Sequence, residues 1–375
     1  MAHLVTPVPP SPERAAFASA RRIVVKVGTR VVTRPDGGLS VSRLAHLMEQ
    51  LADLRSQGVE VILVSSGAIG VGARRLGLPP QPDNLRDRQA AATAGQAGLM
   101  SFYDELARRL GVRTAQVLLI EADFHNRRRY GNLSQNLERL LELGAIPVVN
   151  ENDSVSTQGL DPSRARVFGD NDRLAALVAA ALGADLLILL TNVRGVLHNG
   201  EVIERWDPSL DVEFYGSSTG GTGGMEAKVA SAQVSSLAGV STVIAAGNEA
   251  GTVRHIMEGA AEGTLFPANV TSTRRRRWLA YATAPRFWVQ VNEGAERALR
   301  TRGASLLPIG ITHIHGEFPA GEAIAIRGAD GRVFAHGVAN DGASVMQERL
   351  GQGGHRPAIH RDDVVLLEEG ELEPL

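Results

Sequence analysis

Short apolar runs alternate with longer amphipathic segments over the first two thirds of the chain. The apolar runs cover residues 23–27, 59–64, 117–120, 146–149, 186–190 and 242–245. They are apolar at successive positions, which predicts strands buried on both faces, as in a parallel sheet covered by helices on each side. Segments 44–54, 133–143 and 171–182 space their apolar residues by three and four, which predicts crossover helices. The pattern therefore predicts an α/β sandwich with a mainly parallel central sheet.

The pattern changes near residue 282. Shorter apolar runs at 287–291, 323–327 and 333–338 are separated by glycine turns, and 329–332 is a hairpin signal. These features predict a small, mostly β second domain. The predicted organisation is a proline-rich disordered tail over 1–20, an α/β domain over 21–270, a linker over 271–282, and the small domain with its C-terminal tail over 283–375.

Composition narrows the classes of function. Among 375 residues, 43% are hydrophobic, 21% are charged and the net charge is −2, which is ordinary for a globular protein and gives no electrostatic case for nucleic acid. Four arginines at 274–277 are more typical of a solvated connector than of an RNA contact. There is no cysteine, which excludes disulfides and thiolate chemistry and fits a cytoplasmic protein. No apolar run reaches the roughly 18 residues that a membrane-spanning helix needs.

Two lysines lie close in sequence to glycines, where the backbone amides carry no side chain to cover them. Lys26 lies in the otherwise apolar first run, with Gly28 two residues later, and a lysine there is costly unless it meets an anion. A glycine-rich run at 216–224 leads into a predicted helix that carries Lys228, where bare amides at a helix start suit a phosphate group. The alternatives are a solvent-facing lysine and a flexible surface loop. Together the two lysines favour a phosphate site.

Polar groups follow several other predicted strands. The pairs Ser66 and Gly67, and Thr191 and Asn192, come directly after apolar runs. The sequence Asn150-Glu151-Asn152-Asp153 follows a third run, and Asp170, Asn171 and Asp172 precede a predicted helix. An N-cap role would explain one of these last three residues, but not all of them. Because ligand sites in open α/β sheets lie at the carboxyl ends of strands, we expect these groups to converge.

In combination these residues resemble the amino-acid kinase superfamily and, within it, the bacterial glutamate 5-kinases. The resemblance covers residues 21 to about 365. It rests on the motifs at 25–29, 65–69, 95–96, 150–153, 169–172 and 221–225 with Lys228, and on 302–308 and 335–338, which resemble a PUA domain.

The resemblance implies an αβα sandwich that uses ATP and Mg²⁺ to phosphorylate the γ-carboxylate of L-glutamate, giving L-glutamyl 5-phosphate in the first step of proline biosynthesis. It also implies feedback inhibition by L-proline, a homo-oligomer (dimer or tetramer) and a cytoplasmic location. A side-chain carboxylate with a pKa of about 4.3 is ionised at neutral pH, so the reaction needs no general base. The absence of an obvious catalytic histidine fits this chemistry.

The resemblance also implies roles for individual residues, and it assigns no protein ligand to a metal. Lys26 and Lys228 would contact the transferred phosphoryl group, with Asp172 orienting them and Gly28 contributing a backbone amide. The glutamate would be held by Ser66, Gly67, Asp153 and Asn171, in a pocket shaped by Asn150 and Asp170. The nucleotide would be held by Thr191, Asn192, Thr222, Gly223, Gly224 and Met225.

The chain departs from the family pattern in three places. Asn192 stands where the family commonly has aspartate, the segment after 195–197 is shorter, and 156–167 is longer. Three other functions are open: another acyl-phosphate-forming amino-acid kinase, an RNA-binding protein acting through the PUA domain, and an inactive kinase fold used for regulation. The near-neutral charge opposes RNA binding, and the intact lysines with Asp172 oppose an inactive fold.

Overall fold

The computed structural model describes residues 10–120, 122–155, 171–210, 212, 224–269, 285, 287–353 and 356–367, with the backbone alone for residue 125. The chain divides into two compact units. The first is formed by residues within 1–120, 137–236 and 240–269, and the second by residues within 121–136, 237–239 and 270–375.

A seven-stranded sheet forms the centre of the first unit. Its strands are β1 (Arg22–Val27), β2 (Glu60–Ser65), β3 (Arg113–Leu119), β4 (Ala145–Glu151), β5 (Leu186–Thr191), β8 (Ser241–Ala246) and β9 (Thr264–Phe266). The order is β3-β4-β2-β1-β5-β8-β9, and all neighbours pair in parallel except β8 and β9. A separate small hairpin joins β6 (Leu197–His198) to β7 (Glu201–Val202). The mainly parallel sheet predicted from the apolar runs is confirmed.

The helices described between residues 10 and 269 are α1 (Pro12–Ala15), α2 (Thr29–Val32), α3 (Val41–Ser56), α4 (Ala68–Leu76), α5 (Leu85–Arg109), α6 (Ala122–His125), α7 (Arg127–Glu142), α8 (Asn171–Leu182), α9 (Met225–Leu237) and α10 (Thr252–Met257). They include α6 and the start of α7, which belong to the second unit. The predicted helix at 44–54 lies within α3, and the one at 171–182 coincides with α8. No helix in the described part of the chain is long and apolar enough to cross a membrane.

Strand β1 has two buried faces with different partners. Ile23, Val25 and Val27 join a core cluster that includes residues of α3 and α5. The alternate positions Val24 and Lys26 point to the other side, because successive side chains of a strand face opposite ways. Helix α8 lies on that side and is itself almost wholly buried. A lysine is thereby placed beneath a helical layer rather than in solvent.

Helices α4 and α5 pack with their backbones in direct contact. An added Cβ at Gly72 would lie 1.7 Å from the carbonyl oxygen of Ala91, and one at Gly95 would lie 1.8 Å from the carbonyl oxygen of Ala68. Real Cβ atoms do not approach so closely, so both positions require glycine. This packing fixes the long helix α5 against the turn that follows β2.

The N-terminal segment differs from the expected disordered tail at residues 12–19. These residues form α1 and a short 3₁₀ turn, with Phe17 buried. The cause is Arg14, a buried side chain that donates hydrogen bonds to four backbone carbonyl oxygens of residues 204, 260, 262 and 263 at 2.9–3.1 Å. Composition could not reveal these partners, which lie far away in sequence.

The second unit contains a five-stranded sheet. Its strands are β10 (Trp288–Val291), β11 (Ile311–His315), β12 (Ala323–Arg327), β13 (Val333–Val338) and β14 (Val364–Leu366), in the order β11-β10-β12-β13-β14, with helices α11 (Glu293–Arg302) and α12 (Ala343–Glu348). The predicted hairpin joins β12 to β13, and Gly331 occupies its left-handed position at φ +82°. The small, mostly β character predicted for this region is confirmed. The predicted domain limits remain a prediction, and the linker at 271–282 lies outside the described residues.

Candidate active site

Two lysines and an aspartate form a buried charged cluster. Lys26 Nζ lies 2.6 Å from Oδ1 of Asp172, and Lys228 Nζ lies 2.7 Å from Oδ2 of the same carboxylate. The side chains of Lys26, Asp172 and Lys228 are 3%, 0% and 11% exposed. The three side chains together carry two ammonium groups and one carboxylate. Two ammonium groups that converge on one point form strong hydrogen bonds with an anionic group, so the cluster suits a ligand that carries a phosphate.

The cluster is assembled from three separate elements. Lys26 is next to last in β1, where it pairs with Val64 of β2 and Leu189 of β5. Asp172 lies in the first turn of α8, and Lys228 lies in the first turn of α9. Helix starts carry unpaired amides and partial positive charge, which also suits an anion.

Asn171, next to Asp172, connects this cluster to a second polar group. Its Nδ2 lies 2.9 Å from the Ser65 carbonyl oxygen, 2.9 Å from Ser66 Oγ and 3.0 Å from Asn150 Oδ1. Its Oδ1 is buried and accepts no hydrogen bond from the described residues. A buried acceptor without a donor is expensive, so this oxygen favours a ligand that carries an N–H group.

Gln96 belongs to this second group, although it was not among the predicted site residues. Asn150 donates from Nδ2 to Gln96 Oε1 at 2.7 Å, and its own Oδ1 accepts from the Glu151 amide at 2.9 Å. Gln96 therefore orients the side-chain amide of Asn150. Its sequence signal was the Gly95-Gln96 motif, and only the α4–α5 packing shows why a glutamine follows that glycine.

The turn after β2 places Ser66 and Gly67 at the same edge of the sheet. Gly67 caps α4 in the left-handed region at φ +100°. An added Cβ there would lie 3.1 Å from Val32 Cγ1 and 3.2 Å from Thr33 Cγ2. The left-handed conformation therefore favours glycine at this position, and the space beside it is tight.

Asp153 lies in the turn that follows β4. Burial raises the pKa of its carboxyl group, and the positive charge of Arg88 on α5 acts in the opposite direction. A half-buried carboxylate at the end of β4 is a suitable partner for an ammonium group, which would offset the cost of its partial burial.

Of the remaining predicted site residues, some lie in the described part of the chain and others lie outside it. Thr191 ends β5 and is buried, whereas Asn192 is exposed, and their side chains lie 3.3 Å apart. Gly224 immediately precedes α9, and Met225 is the first residue of that helix. Asp170, Thr222 and Gly223 lie outside the described residues.

Gly28 differs from its expected role. Its amide donates to the Leu190 carbonyl oxygen at 3.3 Å, a bond between β1 and β5 rather than an amide directed at a ligand. An added Cβ would lie 3.8 Å from Lys26 Nζ. A small side chain at position 28 would therefore contact the Lys26 ammonium group without a clash.

The charges needed for a resident metal are not assembled in the described part of the chain. No group of three or more histidine, aspartate and glutamate side chains there is arranged to hold an ion.

Comparison with known proteins shows the family of the chain. Residues 21–245 match the model of the amino acid kinase family, and residues 287–362 match that of the PUA domain. The chain is 39% identical to the glutamate 5-kinase of Methylococcus capsulatus over 94% of its own length and 99% of that protein. It is 40% identical to glutamate 5-kinases of Synechococcus sp. strain JA-3-3Ab and Thermobifida fusca, over 94% and 95% of its length and 100% and 96% of theirs.

Proposed function

We propose, on the premise that this chain belongs to the amino acid kinase family and to the glutamate 5-kinases within it, that it phosphorylates L-glutamate with ATP. The reaction forms L-glutamyl 5-phosphate, which is the first step of proline biosynthesis. The observation that carries the proposal is the buried cluster in which Lys26 and Lys228 both contact Asp172, next in sequence to Asn171 and its hydrogen bonds.

The chemistry requires two anions to be brought together. The γ-carboxylate of glutamate attacks the γ-phosphorus of ATP, the new C–O–P linkage forms, and ADP leaves. Because the carboxylate is already ionised, the site must align the anions and offset their repulsion rather than remove a proton. Lys26 and Lys228 supply positive charge to the transferred phosphoryl group, and Asp172 holds both ammonium groups in place.

The acceptor pocket lies at the second polar group. Asn171 and Ser66 present the side chains that recognise glutamate, Asn150 supports Asn171, and Asp153 faces the α-ammonium group. Gly67 contributes its backbone amide to a carboxylate. Thr191, Asn192 and the segment from Thr222 to Met225 hold the nucleotide, with Asp170 near the acceptor.

Several finer features belong to the same proposal. Mg²⁺ would enter together with ATP and would offset part of the negative charge of the phosphate groups. L-proline acts as a feedback inhibitor that competes for the glutamate pocket. The enzyme works in the cytoplasm as a homo-oligomer, a dimer or a tetramer.

The test is acyl-phosphate formation by the purified full-length protein. The enzyme is supplied with MgATP, hydroxylamine and either L-glutamate, N-acetylglutamate, L-aspartate or no acceptor, while both hydroxamate and ADP are measured. ADP is followed because glutamyl 5-phosphate can cyclise before hydroxylamine traps it. Hydroxamate and ADP formed with L-glutamate alone support the proposal, and activity with a different acceptor alone overturns the substrate assignment.

Two controls complete the test. Lys26→Ala protein purified in the same way identifies activity from a contaminating kinase. Reactions with added L-proline test the inhibitor separately, and an unchanged rate there removes the feedback proposal while leaving the kinase proposal intact.

A further inference from the structure

The last two residues before Gly67 face opposite helical layers. Val61 and Leu63 of β2 belong to the core cluster shared with α3 and α5, and Ser65 continues that row because alternate residues share a face. Ser66 faces the other side, toward Asn171 of α8. Side chains of both helical layers, on the α5 side and on the α8 side, can therefore form hydrogen bonds with the turn that ends β2.

The contact from the α5 layer is made by Tyr103. Its phenolic oxygen lies 2.9 Å from Ser65 Oγ, and both side chains are fully buried. Burial raises the pKa of the Tyr103 phenol, so the group keeps its proton at neutral pH and can donate. Because neither oxygen has access to solvent, water cannot replace this hydrogen bond if one partner is removed.

The direction of the hydrogen bonds follows from counting protons. Ser65 Oγ donates to the Ser66 carbonyl oxygen at 3.3 Å. A serine hydroxyl has one proton, so a Ser65 that donates to Ser66 accepts from Tyr103. A chain of hydrogen bonds therefore runs from Tyr103 through Ser65 to the carbonyl group of Ser66.

That carbonyl group and the amide of Gly67 belong to the same peptide. The described backbone contains no cis peptide bond, and a planar trans peptide directs its C=O and N–H to opposite sides. Holding the Ser66 carbonyl toward the α5 layer therefore aims the Gly67 N–H away from it. On the opposite side, Asn171 donates to the Ser65 carbonyl oxygen and to Ser66 Oγ.

We propose that Tyr103 is a positioning residue for the amino-acid acceptor: through Ser65 it sets the direction in which the Gly67 amide and the Ser66 hydroxyl meet a carboxylate of that acceptor. The inference rests on the proposed function, because it assigns the acceptor to this turn. Tyr103 touches neither substrate. Its effect passes through two hydrogen bonds.

The proposed role of Tyr103 predicts a change in the KM for glutamate but not in the KM for ATP. Tyr103→Phe leaves Ser65 without a donor, and losing one buried hydrogen bond should raise the KM for glutamate about five- to tenfold. Lys26 faces the other layer, so the KM for ATP and kcat should stay within about twofold of wild type. A merely structural role would lower thermal stability without separating the two KM values.

The experiment measures both KM values, kcat and the thermal unfolding temperature of the full-length enzyme for Tyr103→Phe, Ser65→Ala and the double variant. The KM for glutamate of the double variant should not exceed that of the more impaired single variant, because either substitution breaks the same chain of hydrogen bonds. Thr242→Val is the matched control, since it removes a buried hydroxyl near the start of β8, at the opposite end of the strands. It should change the unfolding temperature alone.

Three results would overturn the inference: an unchanged KM for glutamate in Tyr103→Phe, an equal rise in the KM for ATP, or additive effects in the double variant. If Tyr103→Phe does not fold, Ser65→Ala decides the question by the same KM comparison. Wild-type enzyme that releases no ADP with glutamate would defeat the proposed function and this inference together. Active wild type with an unaffected Tyr103→Phe would defeat this inference alone.

Discussion

Lys26 and Lys228 contact opposite oxygens of one carboxylate, at 2.6 and 2.7 Å from Asp172. They are also the only two lysines in the 375-residue chain, since the other 37 of its 39 basic residues are arginines. A compact ammonium group fits where a planar guanidinium group would need a wider space and a different arrangement of acceptors. Both lysines of the protein therefore serve one buried cluster.

Removal of Lys26 should affect turnover more than acceptor binding. We expect Lys26→Ala to lower kcat by about 10²- to 10³-fold, the usual effect of losing one group that stabilises developing charge. The KM for glutamate should change little, because the acceptor groups are bonded to Asn171 rather than to Lys26. Steady-state kinetics test this, with Arg43→Ala as an exposed cation control; near-normal turnover of Lys26→Ala would contradict the role.

Neutralising Asp172 should destabilise the fold. Asp172→Asn leaves two buried ammonium groups side by side, and breaking a buried ion pair costs about 3–5 kcal/mol of unfolding free energy. Denaturant unfolding measures the loss, and added inorganic phosphate should restore part of it by supplying a counter-charge. Glu105→Gln, which breaks solvent-screened pairs with Arg108 and Arg109, should cost only about 1 kcal/mol or less. Equal losses in the two variants would show that burial of the cluster is unimportant.

Asn171→Asp should weaken glutamate binding through lost donors. The two protons of the native Nδ2 are shared among three oxygen acceptors, and a carboxylate has no proton to offer them at neutral pH. Leaving buried acceptors beside a new negative charge should raise the KM for glutamate by about 50-fold or more. Kinetics with glutamate varied at saturating MgATP measure the change. An unchanged KM would mean that this amide does not organise the acceptor pocket.

Asp153 should set an acid limit on glutamate binding. Its pKa is raised by burial and lowered by Arg88, so the carboxylate loses its charge at a higher pH than an exposed aspartate does. The kcat/KM for glutamate should fall as pH falls through this raised pKa. Arg88→Ala removes the positive charge that lowers the pKa of Asp153, so the fall in kcat/KM should move to higher pH. The titration of glutamate itself stays the same in both proteins. A pH profile unchanged by Arg88→Ala would contradict the assignment.

The same raised pKa has a consequence for stability. A carboxyl group with a raised pKa in the folded state favours folding below its unfolded-state pKa, and this contribution is lost as pH rises through the folded-state pKa. Asp153→Asn should therefore be at least as stable as wild type at neutral pH, even though its glutamate binding is impaired. Thermal unfolding at neutral and acidic pH, compared for the two proteins, checks the sign.

Gly67 and Gly70 provide a matched pair of glycines at the start of α4. Gly67→Ala forces a side chain into the left-handed region and against Val32, so we expect a loss of about 1–3 kcal/mol in unfolding free energy. At Gly70 an added Cβ meets only Thr33 Cγ2, at 4.0 Å, so Gly70→Ala should stabilise the helix by up to about 1 kcal/mol. Denaturant unfolding of both variants tests the contrast, which equal effects would contradict.

The amino-acid sequence by itself determined the architecture and the approximate place of the site. Continuous apolar runs specify buried parallel strands, and polar groups placed directly after such runs must gather at the carboxyl edge of the sheet, as Ser66, Asn150 and Thr191 do. These signals are local, because the period of a strand or helix is set by a few neighbouring residues. The motifs that resemble the glutamate 5-kinases added the acceptor and the nucleotide.

Only the tertiary structure decided which of those groups touch. Contacts such as Arg14 with the carbonyl oxygens of residues 260, 262 and 263, Gln96 with Asn150, and Tyr103 with Ser65 join positions tens to hundreds of residues apart. They depend on helix packing and strand register, which no local pattern contains. The physical reason is that side-chain type and spacing decide which face is buried, whereas the partner met on that face is decided by how the layers close on one another.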